Sequence, residues 1–303
     1  VSGFTDVDVP DQSGKCFLVT GANSGLGFET SKVLARKGAR ILLACRNSAK
    51  ADEAIGSIRA EVTHADLVHL PLDLADLDSV RRGAQIAALE PRIDGLINNA
   101  GVSFTPFGLS AQGHELQFAI NHLGHFALVG LLWRKLSETP GARVVVTAST
   151  AHRLGKIEWD DLDGKAGSNR YQRYMNSKLA NLLHMAELDR RLAAARIPLT
   201  VAACHPGMAA TELMRDFAAI RIFNPLLAVI FNTAVQGAWP TLQAATDPDA
   251  QSGEYYGPSR LGESAGPSGI ASRTARSRDP ELSRRLWEVS VEMTGVDPGL
   301  PPA

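Results

Sequence analysis

The 303-residue chain carries 31 Lys and Arg against 32 Asp and Glu, a formal charge of −1, and is 45% hydrophobic. That supplies a sizeable core, and the interspersed charges leave no basic stripe for nucleic acid or an anionic membrane, so small-molecule partners are expected. Cys16, Cys45 and Cys204 lie far apart without C-x-x-C spacing and read as reduced core residues. No basic segment with an apolar core opens the sequence, and its most continuous apolar stretch, Pro225 to Phe231, is too short for a bilayer; the expected location is cytoplasmic, with no membrane span.

In chain order, Asp11 to Gly14 predicts a turn, which makes residues 1–14 an arm on the surface. Short β-branched runs then alternate with helical patterns. Strands are predicted at Cys16 to Thr20, Arg40 to Cys45, Leu67 to Asp73, Asp94 to Ala100, Ala142 to Ser149 and Leu199 to Pro206. All six lack polar alternation, as strands covered on both faces do. The expected fold is α/β: a single Rossmann-like domain over residues 1–303, with a doubly wound parallel sheet and helices on both faces. Past Pro206 the pattern turns helical and apolar, and residues 208–245 read as a substrate lid suited to an apolar ligand. Beyond Asp247 the chain is rich in Gly, Ser and Pro until a helix near Glu281 to Met293.

The stretch TGANSGLG, Thr20 to Gly27, lies between the first strand and a helix. It is not a P-loop, because Phe28 to Thr30 offer no lysine. Nor is it a serine elbow, because Ala22 and Leu26 stand where G-x-S-x-G needs glycines. What remains is a dinucleotide turn, in which Gly21, Gly25 and Gly27 let backbone approach a pyrophosphate at a helix N-terminus. At the end of the second strand, where an acid would accept from the adenosine ribose, Cys45 is followed by Arg46. A guanidinium suits a 2′-phosphate, with Asn47 and Lys50 as helpers, so NADP(H) is the expected cofactor and NAD(H) the alternative.

Tyr174 and Lys178 share one helix face. A tyrosine of pKa near 10 needs a neighbouring cation to act as acid or base at neutral pH. Ser149, at a strand end, can donate to a carbonyl, and Asn121 can hold a water that links the lysine to solvent. No metal is expected, since His122 and His125 read as packing residues on an apolar helix. His152 and His205 lie near strand ends, and His184 reads as a helix-surface residue. The insertion between Ala151 and Arg173 reads equally as a pocket wall and as a solvated loop.

Taken together, TGANSGLG, NNAG (Asn98 to Gly101), Asn121, Ser149, YMNSK and HPG (His205 to Gly207) resemble the short-chain dehydrogenase/reductase superfamily. PDQSGK, NHLGHF, SKLAN and TAHRLG resemble its retinol-dehydrogenase-like branch. The resemblance implies a catalytic tetrad of Asn121, Ser149, Tyr174 and Lys178, the lysine also holding the nicotinamide ribose. It implies cofactor contacts from Gly21, Asn23, Ser24, Gly25, Leu26 and Gly27, and from Asp73 and Leu74 near the adenine. Asn99, Ala100, Gly101, Thr147, Pro206, Gly207, Met208 and Thr211 complete that set. Related enzymes often pair as homodimers or homotetramers through helices that here begin near Phe126 and Tyr174. The implied activity interconverts an alcohol and a carbonyl on an apolar molecule. A carbon-carbon double-bond reductase and a catalytically silent nucleotide sensor are the rivals.

Overall fold

A computed structural model describes residues 3–167, 169–207 and 232–302. Eight strands form one sheet in the order β3-β2-β1-β4-β5-β6-β7-β8: β1 (Cys16–Thr20), β2 (Arg40–Cys45), β3 (Leu67–Pro71), β4 (Gly95–Asn98), β5 (Arg143–Thr147), β6 (Thr200–Cys204), β7 (Tyr255–Arg260) and β8 (Ala265–Ile270). Pairing is parallel from β3 through β7, and only β8 runs antiparallel. Strand order reverses between β1 and β4, and ligands of open parallel sheets bind outside the carboxyl ends at that point.

The two faces of the sheet carry separate cores. One packs under α1 (Gly25–Arg36), α2 (Ser48–Glu61) and α7 (Ala234–Thr246), with Leu34, Ile58 and Leu242 fully buried. The other packs under α3 (Leu77–Ala87), α5 (Gly124–Ser137), α6 (Arg170–Ala194) and α8 (Pro280–Thr294), with Phe126, Leu132, Leu182 and Trp287 inside. A short helix, α4 (Leu116–Phe118), and a π turn (Ala119–Leu123) lead into α5. Leu116–Ser137 is apolar and long enough to cross a membrane, unlike the shorter run singled out in the sequence, but 72% of its most apolar window is buried inside this fold.

Several expectations are corrected. The strands β3 to β6 end two residues short of the predicted runs, because Asp73, Ala100, Ser149 and Pro206 already belong to the loops at the sheet's carboxyl edge. β3 is a half-exposed edge strand, since among the described residues nothing pairs with its outer side. β7 and β8 went unpredicted: their Gly, Pro and Ser content disguises strands whose inner residues, Tyr255 and Tyr256, are buried. The N-terminal arm is fastened to the sheet and α7, with part of it buried. Phe4 bridges Ser268 on β8, Val9 is buried, and Asp6 accepts from Trp239 Nε1 at 2.8 Å. Residues 234–245 of the expected lid form most of α7, whose inner face (Ala238, Leu242, Ala245) joins the core against α1 and the sheet; residues 208–231 lie outside the described residues. The three cysteines are buried and free.

Candidate active site

A cleft of about 510 Å³ opens at the point where strand order reverses. Gly21, Asn23, Ser24, Gly25 and Leu26 form one wall, Cys45, Arg46, Asp73 and Leu74 a second, and Asn99, Ala100 and Gly101 a third. The glycines are required where they stand. Gly21 has φ +67° and a Cβ there would touch Ala100 at 3.0 Å, whereas a Cβ on Gly27 would collide with the Gly21 carbonyl and the Asn99 amide. Backbone therefore reaches the cleft directly. At the N-terminus of α1, Ser24 makes no side-chain cap and the first turn holds no acid, so the helix presents its amides and positive dipole end to an anion.

The adenosine end is equally built for negative charge. Arg46 is 72% exposed and stands 4.0 Å from Asp73. Asn47 caps α2, its oxygen accepting from Lys50 N at 3.0 Å, and the first turn of α2 has no acid either. Asn47 does not line the cleft, so the helper role expected of its side chain reduces to this cap plus its amide group.

At the cleft's inner end the four predicted catalytic residues converge. Ser149 lies just past β5 in a turn held by His152, whose Nδ1 donates to the Ser149 carbonyl at 2.7 Å. The Ser149 hydroxyl accepts from Ala151 N at 3.2 Å and lies close enough to Tyr174 to act on its phenol. One helical turn on, Lys178 Nζ lies 5.7 Å from the Tyr174 ring centre and donates to the Thr147 carbonyl at 3.1 Å, which also accepts from Asn181 Nδ2 at 3.0 Å. Thr147 thus positions the lysine. Gly101, which lines the cleft, joins the two regions: a Cβ there would lie 3.2 Å from Asn121 Oδ1 and 3.5 Å from Lys178 Nζ.

A protein-family model for short chain dehydrogenase matches residues 15–220. The chain belongs to that family. It is 38% identical to mouse retinol dehydrogenase 14 over 93% of this chain and 86% of that protein. A crystal structure of an uncharacterized protein from Mycobacterium Paratuberculosis superposes with TM-score 0.83 at 37% identity, covering 99% of this chain and 100% of the other. A Shigella flexneri short chain dehydrogenase complexed with NADP shares the fold at TM-score 0.63 and 24% identity, over 82% of this chain and 98% of that one. The chain is therefore a short-chain oxidoreductase acting on CH-OH donors, in the retinol-dehydrogenase-like branch.

Charge within this dehydrogenase site is set by burial. Burial pulls the Lys178 ammonium down to about 8 and raises the Tyr174 phenol, a push that the neighbouring Ser149 hydroxyl opposes. The Asn121 amide is fully used, donating to Val102 O and Ser177 Oγ, both at 2.9 Å, while its oxygen accepts from Val102 N at 2.8 Å and keeps a second lone pair. Acceptors for a water linking the lysine to solvent remain on the Asn121 side-chain oxygen and on its backbone carbonyl in the π turn. His184 is buried, contrary to the surface reading, because α8 covers that face of α6 and Trp287 packs on its ring. His122 and His125 are buried as expected of packing residues, and among the described residues no cluster fits a metal.

Pro206 and Gly207 follow β6, with Gly207 at φ +71° and Pro206 O accepting from Asn232 Nδ2 at 3.2 Å. Met208 and Thr211 lie outside the described residues. Sequence reasoning missed Phe104, which adopts φ 54° and packs 5.0 Å from Tyr174 and 4.9 Å from Tyr171. Gln117 fixes it, accepting from Phe104 N at 2.8 Å and donating to Arg170 O at 3.0 Å. No local motif encodes that pairing. The insertion before Tyr174 is tied down too, Arg276 donating to Gly155 O and Ile157 packing inside.

Proposed function

We propose that the protein is an NADP(H)-dependent oxidoreductase that interconverts an alcohol and a carbonyl on an apolar small molecule, with Tyr174 as general acid and base. The observation that carries this reading is the convergence of Ser149, Tyr174 and Lys178 where the glycine-walled cleft ends. The residues fit a dinucleotide: Gly21 and Gly27 leave the backbone bare, α1 points its amides inward, and Arg46 with the acid-free start of α2 suits a 2′-phosphate. Asn99 to Gly101, Asp73 and Leu74 would line it, and Lys178 would hold its ribose. A bound nicotinamide supplies or accepts the hydride. The chain's own residues do the rest. Ser149 donates a hydrogen bond to the carbonyl oxygen and polarises it. Tyr174 gives that oxygen a proton in reduction and removes one in oxidation, and the Lys178 charge stabilises the phenolate left behind.

An apolar substrate is supported by the aromatic shelf of Phe104 and Tyr171 beside Tyr174 and by the mouse relative's name, retinol dehydrogenase 14. The test is turnover of a panel of aldehydes, ketones, steroids and retinoids with NADPH and NADH, with product analysis to separate carbonyl from carbon-carbon reduction. Wild type should reduce carbonyls with NADPH preferred, and Tyr174→Phe should bind NADPH yet lose most turnover. Arg46→Asp should weaken NADPH binding by about 1.5 to 3 kcal/mol and leave NADH little changed. Binding without turnover across the panel favours the nucleotide sensor, and a wild-type preference for NADH defeats the cofactor assignment.

A further inference from the structure

Thr20 ends β1 inside the protein, and its hydroxyl has more neighbours than a strand residue needs. Its oxygen accepts from Asn99 N at 2.9 Å and Ala100 N at 3.0 Å, the two residues that wall the dinucleotide cleft. Those bonds occupy both lone pairs, so the hydroxyl must give its own proton. The nearer acceptor is His125 Nε2 at 2.9 Å, against 3.3 Å for the Ile97 carbonyl. An imidazole that accepts at Nε2 carries its proton on Nδ1, and His125 Nδ1 stands 3.2 Å from the Asn121 carbonyl. The direction of every bond in the chain is thereby fixed: Asn99 and Ala100 amides to Thr20, Thr20 to His125, His125 to Asn121 O.

We infer that His125 is a positioning residue that couples the dinucleotide loop to the Asn121 carbonyl. This rests on the proposed catalytic reading only for its effect on turnover; the coupling to cofactor binding stands apart from it. The carbonyl has two lone pairs, and the histidine takes one. With the Asn121 amide spent on Val102 and Ser177, the histidine's bond orients the second lone pair of this carbonyl toward a relay water. Burial, with a smaller push from the Lys178 charge, holds the imidazole down to about 4, which keeps it neutral in the single tautomer that the bonds demand. A protonated ring would aim N–H at a hydroxyl oxygen with no lone pair to offer. All three side chains are buried, Thr20 and Asn121 completely, so solvent cannot substitute for a lost link.

The two ring nitrogens can be tested separately. His125→Gln places an amide oxygen where Nε2 accepts, and should keep NADPH affinity, read by fluorescence titration, within about threefold of wild type while kcat falls about tenfold. His125→Leu removes both links and should weaken NADPH by about tenfold and lower kcat as well. Thr20→Val preserves the strand's β-branched shape, and serves if the leucine variant does not fold. It should weaken NADPH as His125→Leu does, and adding His125→Leu to it should change affinity no further. Additive effects of Thr20→Val and His125→Leu on NADPH affinity overturn the coupling, as does unchanged affinity in Thr20→Val. A chain inactive on every substrate defeats the proposed function but leaves the affinity cycle readable.

Discussion

Burying an ammonium without a carboxylate partner costs stability, and among the described residues Lys178 does so at 4% exposure, donating to a backbone carbonyl. The same burial that lowers its pKa to about 8 sets the sign of a pH effect. Below pH 8 the lysine is charged in both states and the folded state bears the full desolvation cost. Between 8 and the ordinary 10.5 the folded chain gives up the proton while the unfolded chain keeps it, so stability rises with pH there. A shift of this size is worth at most about 3 kcal/mol. Lys178→Met should therefore melt above wild type at pH 7, with the gap narrowing from pH 8 to 10.5, although it removes the charge assigned to the phenolate. Thr147 O keeps Asn181 as a donor in that variant. A melting difference that ignores pH would show that desolvation of the ammonium is not its source. A residue placed for chemistry against its own stability is the trade expected of an active site.

At the scale of elements, the β7–β8 hairpin acts as a clasp on two loops of the site. Its turn residue Glu263, at φ 67°, accepts from Arg153 Nη2 at 2.6 Å and Ser272 N at 2.9 Å and faces His205 Nε2 at 3.6 Å. Arg153 belongs to the turn after Ser149, and His205 precedes Pro206 and Gly207. The nearby His205 imidazole, the Ser272 hydrogen bond and the Arg153 charge hold the Glu263 carboxyl down to about 2, so the clasp is closed above the usual carboxylate range and opens only as pH falls toward 2. Glu263→Gln should raise KM for the carbonyl severalfold and weaken NADPH as well, because Arg153 holds the turn after Ser149 and His205 leads into Pro206 and Gly207, two expected cofactor contacts; unchanged values of both would remove the clasp from the site. This hairpin also marks where the sequence stopped being informative. The parallel strands were legible because β-branched runs such as RVVVT need no context, and the glycine turn and the Tyr174–Lys178 spacing were legible because local geometry fixes them. YYGPSR and AGPSGI form strands only by pairing with β6 and each other, and the partners of Asn121, Gln117 and Glu263 lie as far as 110 residues away. Such contacts leave no periodic trace.

Over the whole molecule, the two cores differ in what covers them, and the difference bears on assembly. The α5–α6 face, through which related enzymes often pair, is occupied by the chain's own C-terminal segment. Trp287 packs edge-on to Phe126 at 5.1 Å and beneath Arg191 at 4.6 Å, and Ser290 Oγ meets His122 Nε2 at 2.8 Å. Beyond α8, Trp133 Nε1 donates to Pro298 O at 2.9 Å and Arg191 Nη1 to Leu300 O at 3.1 Å, while Val296 and Leu300 are buried. Each such side chain contributes about 1.5 to 3 kcal/mol when fully buried. A second copy docking on this face would have to displace those contacts before making its own, so the full chain should not associate through it. Removing residues 296–303 strips Trp133 and Arg191 of their carbonyls and bares an apolar strip beside Leu131, which is already 40% exposed on α5. The truncated chain should melt several degrees lower and sediment as a larger, concentration-dependent species. Leu131→Asp should reverse that association in the truncated chain and leave the sedimentation of the full chain unaltered. If the same substitution dissociates a dimer of the full chain, the tail does not shield the face, and pairing occurs with the C-terminal segment in place.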